Sequence, residues 1–128
     1  MALKTCLLVT DDPDDHQAFS EALSEISDKA IVLIILDSQK ALSLLLAKTH
    51  TPDYIFLDLS MQGIRINPLL REIRGDQELK SIPTVVYGDM ASLYSIESVD
   101  GVTFFDKDYE YSQLKNFLQD FFDSKDYQ

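Results

Sequence analysis

Three residues of this chain stand where side chains of their types can do chemistry together: Asp11, Asp58 and Lys107. Each lies just beyond a short apolar run, at residues 6–9, 54–57 and 102–105. Asp58 is the most informative, because a carboxylate ending an apolar strand is costly unless something balances its charge. Lys107 can balance it from another strand, and a divalent cation held by Asp11 and Asp58 can do more. One or two carboxylates completed by water and a phosphoryl oxygen is how proteins usually hold Mg2+. In that setting a carboxylate can attack a phosphoryl donor and form an aspartyl phosphate. Mg2+ and a lysine would neutralise the charge on the phosphoryl oxygens during transfer. Asp58 is then the nucleophile, Asp11 the metal ligand and Lys107 the phosphoryl clamp. Taken singly, a helix cap or a surface ion pair explains each residue about as well. Three such residues at three strand ends favour the site.

The elements that must position them show as short apolar runs alternating with helical periodicities. Residues 6–9, 30–36, 54–57, 84–87 and 102–105 are β-branched or aromatic in character, as expected of strands buried on both faces of a parallel sheet. A helix is predicted after Asp12, with Pro13 in its first turn and Asp14 and Asp15 near its positive end. Its buried stripe is Ala18, Phe19, Ala22, Leu23 and Ile26. A second helix spans 38–48, with Ala41, Leu42, Leu45 and Leu46 inward. Asn67 and Pro68 read as the cap and first position of a third, which carries Leu69, Leu70 and Ile73. A fourth, near 90–97, is short and weakly patterned. The last repeats Leu114, Phe117, Leu118 and Phe121 at i, i+3, i+4 and i+7, and the polar end at about 124–128 is expected to fray. Strands alternating with helices predict one domain over 1–128, a doubly wound α/β fold with helices on both faces of a five-stranded parallel sheet. Right-handed crossovers bring the C-terminal ends of all strands to one edge. Ligands bind at that edge, where the strand order reverses.

Composition excludes several classes. A chain of 128 residues can bury a proper core without disulfides or a structural metal. The formal net charge is −11 and Lys and Arg are not clustered, which argues against nucleic-acid binding. No apolar run is long enough to cross a bilayer, and the first residues lack the features of a signal peptide. A cytoplasmic protein that does not engage membranes is expected. The single Cys6 reads as a small buried hydrophobe. His16 and His50 have no metal-ligating companion at useful spacing and read as solvated.

The stretches LLVTDDPDDHQAFSEAL, PDYIFLDLSMQGI, LLREIRGDQELKSIPTVVY and FFDKDYEYSQLKNFL resemble the receiver domain of bacterial two-component response regulators, in order and over nearly the whole chain. The resemblance implies a flavodoxin-like fold and a phosphoacceptor at Asp58. It implies Asp11 as one acid of the metal-binding pair, the backbone carbonyl of Ser60 as a further metal ligand, and Lys107 as the invariant lysine. Phe104 matches the aromatic residue whose rotamer reports phosphorylation. Mg2+ is the implied cofactor. A histidine kinase or phosphotransfer protein is the implied donor, and a downstream protein target is reached by docking. No segment is left for an output domain, as in single-domain receivers.

The departures from that pattern are specific. Thr10 stands where the family has its second acid, which should weaken metal binding, and Asp12 falls one position past the pair. Gly88 replaces the Ser or Thr whose hydroxyl couples the phosphoryl group to the aromatic at Phe104, and Asp89 adds charge beside it. Asp108 replaces the proline after the lysine, Gln62 a further proline, and Arg65-Ile66 the usual Asp-Gly. The span 88–104 is shorter than the family's by about one helical turn.

Three functions follow. The first is a phosphorylation-driven signalling module whose surface shifts between two states. The second is a pseudo-receiver that binds its partner without phosphorylation, favoured by Thr10 and Gly88. An aspartate-nucleophile phosphohydrolase ranks below both, because Ser60 occupies the second catalytic acid's position and no cap segment is apparent; a turnover enzyme is not expected. Tyr87, Tyr94, Phe104 and Phe105 offer an aromatic docking surface around the fourth helix, with core packing favoured for Phe105 and exposure for Tyr94.

Overall fold

The apolar runs form five strands, β1 (Lys4–Val9), β2 (Ala30–Ile35), β3 (Tyr54–Asp58), β4 (Thr84–Gly88) and β5 (Val102–Asp106). In the computed structural model the described residues are 4–26, 30–35, 38–47, 51–59, 66–88, 102–106 and 110–126. All strand pairs are parallel, in the order β2-β1-β3-β4-β5, so the order reverses between β1 and β3. The helices are α1 (Pro13–Ile26), α2 (Ser38–Ala47), α3 (Ile66–Gly75) and α4 (Tyr111–Asp126), with a 3-10 turn at Leu79–Ser81. None among the described residues is long and apolar enough to cross a membrane.

Side chains alternate across the central strands and build two cores. Leu7, Val9, Ile55, Leu57 and Val86 pack against Ala41 and Leu45 of α2 and against Leu69, Leu70 and Ile73 of α3. On the other face Cys6, Leu8, Tyr54, Phe56, Val85 and Tyr87 meet Phe19, Ala22 and Leu23 of α1 and Leu114, Leu118, Phe121 and Phe122 of α4. Burial on both faces holds for β3 and β4, which are buried along their whole length. The edge strands differ, because each has a neighbour on one side alone: Ile31, Ile34 and Phe104 are exposed. Cys6 is buried, and desolvation, with a smaller push from the charge of Asp53, raises its thiol pKa to about 12. A thiol so placed is inert at neutral pH.

Several boundaries shift from expectation. β3, β4 and β5 each run one residue further, and the ladder pairs Asp58 with Tyr87 and Gly88 with Asp106. Asp58 therefore belongs to the sheet itself. α3 starts at Ile66 rather than after an Asn67 cap; Pro68 still lies in the first turn, where its missing N–H is no loss. The 3-10 turn was not signalled by periodicity: Asp76 Oδ1 accepts from the backbone N–H groups of Glu78 and Leu79 at 2.9 and 3.1 Å, and Leu79 is buried. α4 continues to Asp126, past the start of the expected frayed end. The helix expected near 90–97 lies outside the described residues.

Candidate functional site

Alternation along three adjacent strands decides which polar groups meet. Thr10 follows Cys6 and Leu8 onto the α1 face, Asp58 follows Tyr54 and Phe56, and Tyr87 follows Val85. From the helix side, the stripe of Phe19, Ala22 and Leu23 reaches back one turn to Asp15, which is also buried. Thr10, Asp15 and Asp58 are thus gathered between sheet and α1, at the C-terminal edge, beside the hydroxyl of Tyr87. Asp58 is 1% exposed and Asp15 4%, so both carboxylates depend on protein partners rather than water.

The Thr10 hydroxyl lies 2.5 Å from Asp58 Oδ2 and 3.4 Å from Asp15 Oδ2. It has one proton, which the shorter contact assigns to Asp58. The Tyr87 hydroxyl donates to Asp15 Oδ2 at 3.2 Å. Burial above all, then the charges of Asp15 and Asp58, push the Tyr87 phenol far above its ordinary pKa, so it remains a donor. Around this chain the loop is tied down. His16 Nε2–H donates to the Thr10 carbonyl at 2.9 Å, which sets its tautomer. The N–H of Asp12 donates to Thr10 Oγ1 at 3.2 Å, while Asp12 Oδ1 accepts from the N–H of Asp14 at 2.9 Å and caps α1.

Of the residues singled out above, Asp58 ends β3 at the switch point and Asp11 is exposed in the loop between β1 and α1. Gly88 ends β4. Phe104, on β5, pairs with Val86 and is 40% exposed. Lys107, Ser60, Gln62, Arg65, Asp89, Tyr94, Asp108 and His50 lie outside the described residues. Tyr87 is not a docking aromatic: it is fully buried, with its ring 5.2 Å from that of Phe19. Phe105 packs inward as expected, stacked on Phe117 at 4.3 Å. His16 is held by the loop rather than solvated. Asp15 and Tyr87 were missed as site residues, although Asp15 precedes Phe19 by four positions and so belonged to the apolar stripe.

Gly88 is required by space. A Cβ there would lie 2.9 Å from Leu59 Cβ and 3.2 Å from its Cδ2, and Leu59 is held by its N–H to the Tyr87 carbonyl at 2.8 Å. Gly88→Ser is therefore expected to destabilise the domain by about 1–3 kcal/mol in urea unfolding, as overpacking does. Because the closest of these contacts is with Leu59 Cβ, which alanine would keep, Leu59→Gly is the change that should relieve the crowding, so that Gly88→Ser costs less in that background. Equal losses in both backgrounds would mean that Leu59 is not what excludes a side chain at 88.

Among the described residues no group of three or more His, Cys, Asp and Glu side chains is arranged to hold a metal ion. Asp58 is the last residue of β3 and Asp11 follows β1 by two residues, both past the register pair of Val9 and Leu57. Two carboxylates suit a hard cation that keeps most of its waters.

No family model matches this sequence, and no curated protein does. Solved structures do. The phosphorylated cyanobacterial phytochrome response regulator RcpA superposes with a TM-score of 0.74 at 28% identity, over 94% of this chain and 91% of that one. The Mn2+-bound response regulator Rcp1 gives 0.70 at 25%, over 91% and 89%. The receiver domain of a sensor histidine kinase from Pseudomonas aeruginosa, with Mg2+ in its active-site cleft, gives 0.70 at 20%, over 92% and 96%. At that last identity the likeness is one of fold.

Proposed function

We propose that this chain, a response regulator receiver domain of the two-component type, accepts a phosphoryl group on Asp58 and signals by docking to another protein. The observation that carries this reading is the Asp58 carboxylate itself, ending a central strand at the switch point with one oxygen engaged by Thr10. In the reaction an oxygen of Asp58 attacks phosphorus and forms a P–O bond. The donor's bond to phosphorus breaks, and its electron pair leaves with the donor, which takes a proton from solvent. Lys107, the residue after β5, would neutralise phosphoryl charge. Asp11, Asp58 and the Ser60 carbonyl would hold Mg2+, which supplies further positive charge at the phosphoryl oxygens when bound. Thr10 in place of an acid makes this a weak metal site. The donor is a histidine kinase or phosphotransfer protein, the recipient a downstream protein in the cytoplasm, with no part for nucleic acid or membrane.

A second reading, a pseudo-receiver that docks constitutively, is favoured by Gly88, which has no hydroxyl and whose side-chain space Leu59 fills. Intact mass after incubation with phosphoramidate, with Mg2+ or with a chelator, separates the two. A single phosphoryl adduct that requires Mg2+ is expected. No adduct, together with an NMR spectrum unmoved by Mg2+ and beryllofluoride, would sink the phosphoacceptor reading and leave constitutive docking.

A further inference from the structure

We propose that Tyr87 and Asp15 are positioning residues that orient Asp58 through the Thr10 hydroxyl; the consequence for phosphorylation rests on the reading of Asp58 above. The preceding residues of β4, Val85 and Val86, are apolar and buried, and a phenylalanine at 87 would fill the same volume against Phe19. What tyrosine adds is a hydroxyl with no access to water, which donates to Asp15 at 3.2 Å and also lies within hydrogen-bond reach of Thr10. Asp15 and Asp58 compete for one Thr10 proton. With Tyr87 donating to Asp15, that proton is given to Asp58 Oδ2, and the 2.5 Å and 3.4 Å distances show the outcome. One Asp58 oxygen, Oδ2, is thereby turned toward Thr10, which fixes the rotation of the carboxylate. The chain links α1 and β4 to the carboxylate on β3, a route that does not pass through the missing hydroxyl at Gly88.

The test has two arms, on the full chain, with urea unfolding used to verify that each variant is folded. The first reads the side-chain carboxyl 13C resonance of Asp58 by NMR, assigned with Asp58→Asn. Tyr87→Phe keeps the ring and its ring current, so a shift of that resonance reports the hydroxyl. A shift is expected, and an unmoved resonance overturns the proposal. The second measures the rate of adduct formation from phosphoramidate at saturating Mg2+. Tyr87→Phe should slow it about tenfold or more, the loss of one hydrogen bond to a carboxylate. Thr10→Val should slow it at least as much, and Thr10→Ser should recover most of that loss. Tyr87→Phe with Thr10→Val should be no slower than Thr10→Val alone, because links of one chain are not additive. A wild-type rate in Tyr87→Phe, or additive losses in the double variant, would overturn the proposal. A wild-type protein that takes no adduct would defeat the phosphoacceptor reading, and the NMR arm would still decide the orientation of Asp58.

Discussion

Asp58→Asn is expected to abolish the phosphoryl adduct completely while leaving the domain folded. An amide is not a nucleophile toward phosphorus, so chemistry is lost outright rather than slowed. The fold survives because asparagine has nearly the same shape and its carbonyl oxygen can still accept the Thr10 proton now given to Asp58 Oδ2. Urea unfolding should move by no more than about 1–2 kcal/mol, the scale of one rearranged buried hydrogen bond. Intact mass spectrometry reads the adduct directly. A persistent adduct in Asp58→Asn would move the phosphoryl group to another side chain and defeat the assignment.

The second large effect is on stability. Phe19→Ala should cost about 3–5 kcal/mol, the range for removing a fully buried phenylalanine. Phe19 is 1% exposed, with ring centroids 5.5 Å from Phe56 and 5.2 Å from Tyr87, so it joins α1 to both strands beneath the site. Against a total stability of about 5–15 kcal/mol for a domain, the loss removes a large share of what holds the chain folded. The urea midpoint should fall sharply at unchanged slope. A loss below about 1 kcal/mol would mean that the core collapses around the deletion, since cavity cost depends on relaxation.

The sheet and its helices were legible because their signals are periodic and redundant. Five apolar runs and the Leu114-Phe117-Leu118-Phe121 repeat each restate one element several times over. Asp58 was legible for the opposite reason, as a charge where apolar residues were expected. Asp15 was not, since a carboxylate on a buried helical stripe looks like an ordinary first-turn acid until the strand it faces is known. Tyr87 was read as surface because tyrosine satisfies apolar and polar surroundings alike. Its burial depends on register with Asp58 and on α1, which are long-range facts. Edge exposure of Ile31 and Ile34 was equally hidden, because strand order is not written within any one strand.

The fit between Leu59 and Gly88 also governs how this site can be changed by successive mutation. A hydroxyl-bearing residue at 88 meets a leucine Cβ already in its place, whereas losing the whole side chain at 59 first opens room that Gly88 tolerates. The order of steps therefore matters: 59 before 88 passes through a folded intermediate with a small void, and 88 before 59 passes through a crowded one. A selection experiment seeking to restore a hydroxyl at 88 should find it arising on backgrounds in which 59 has already become glycine.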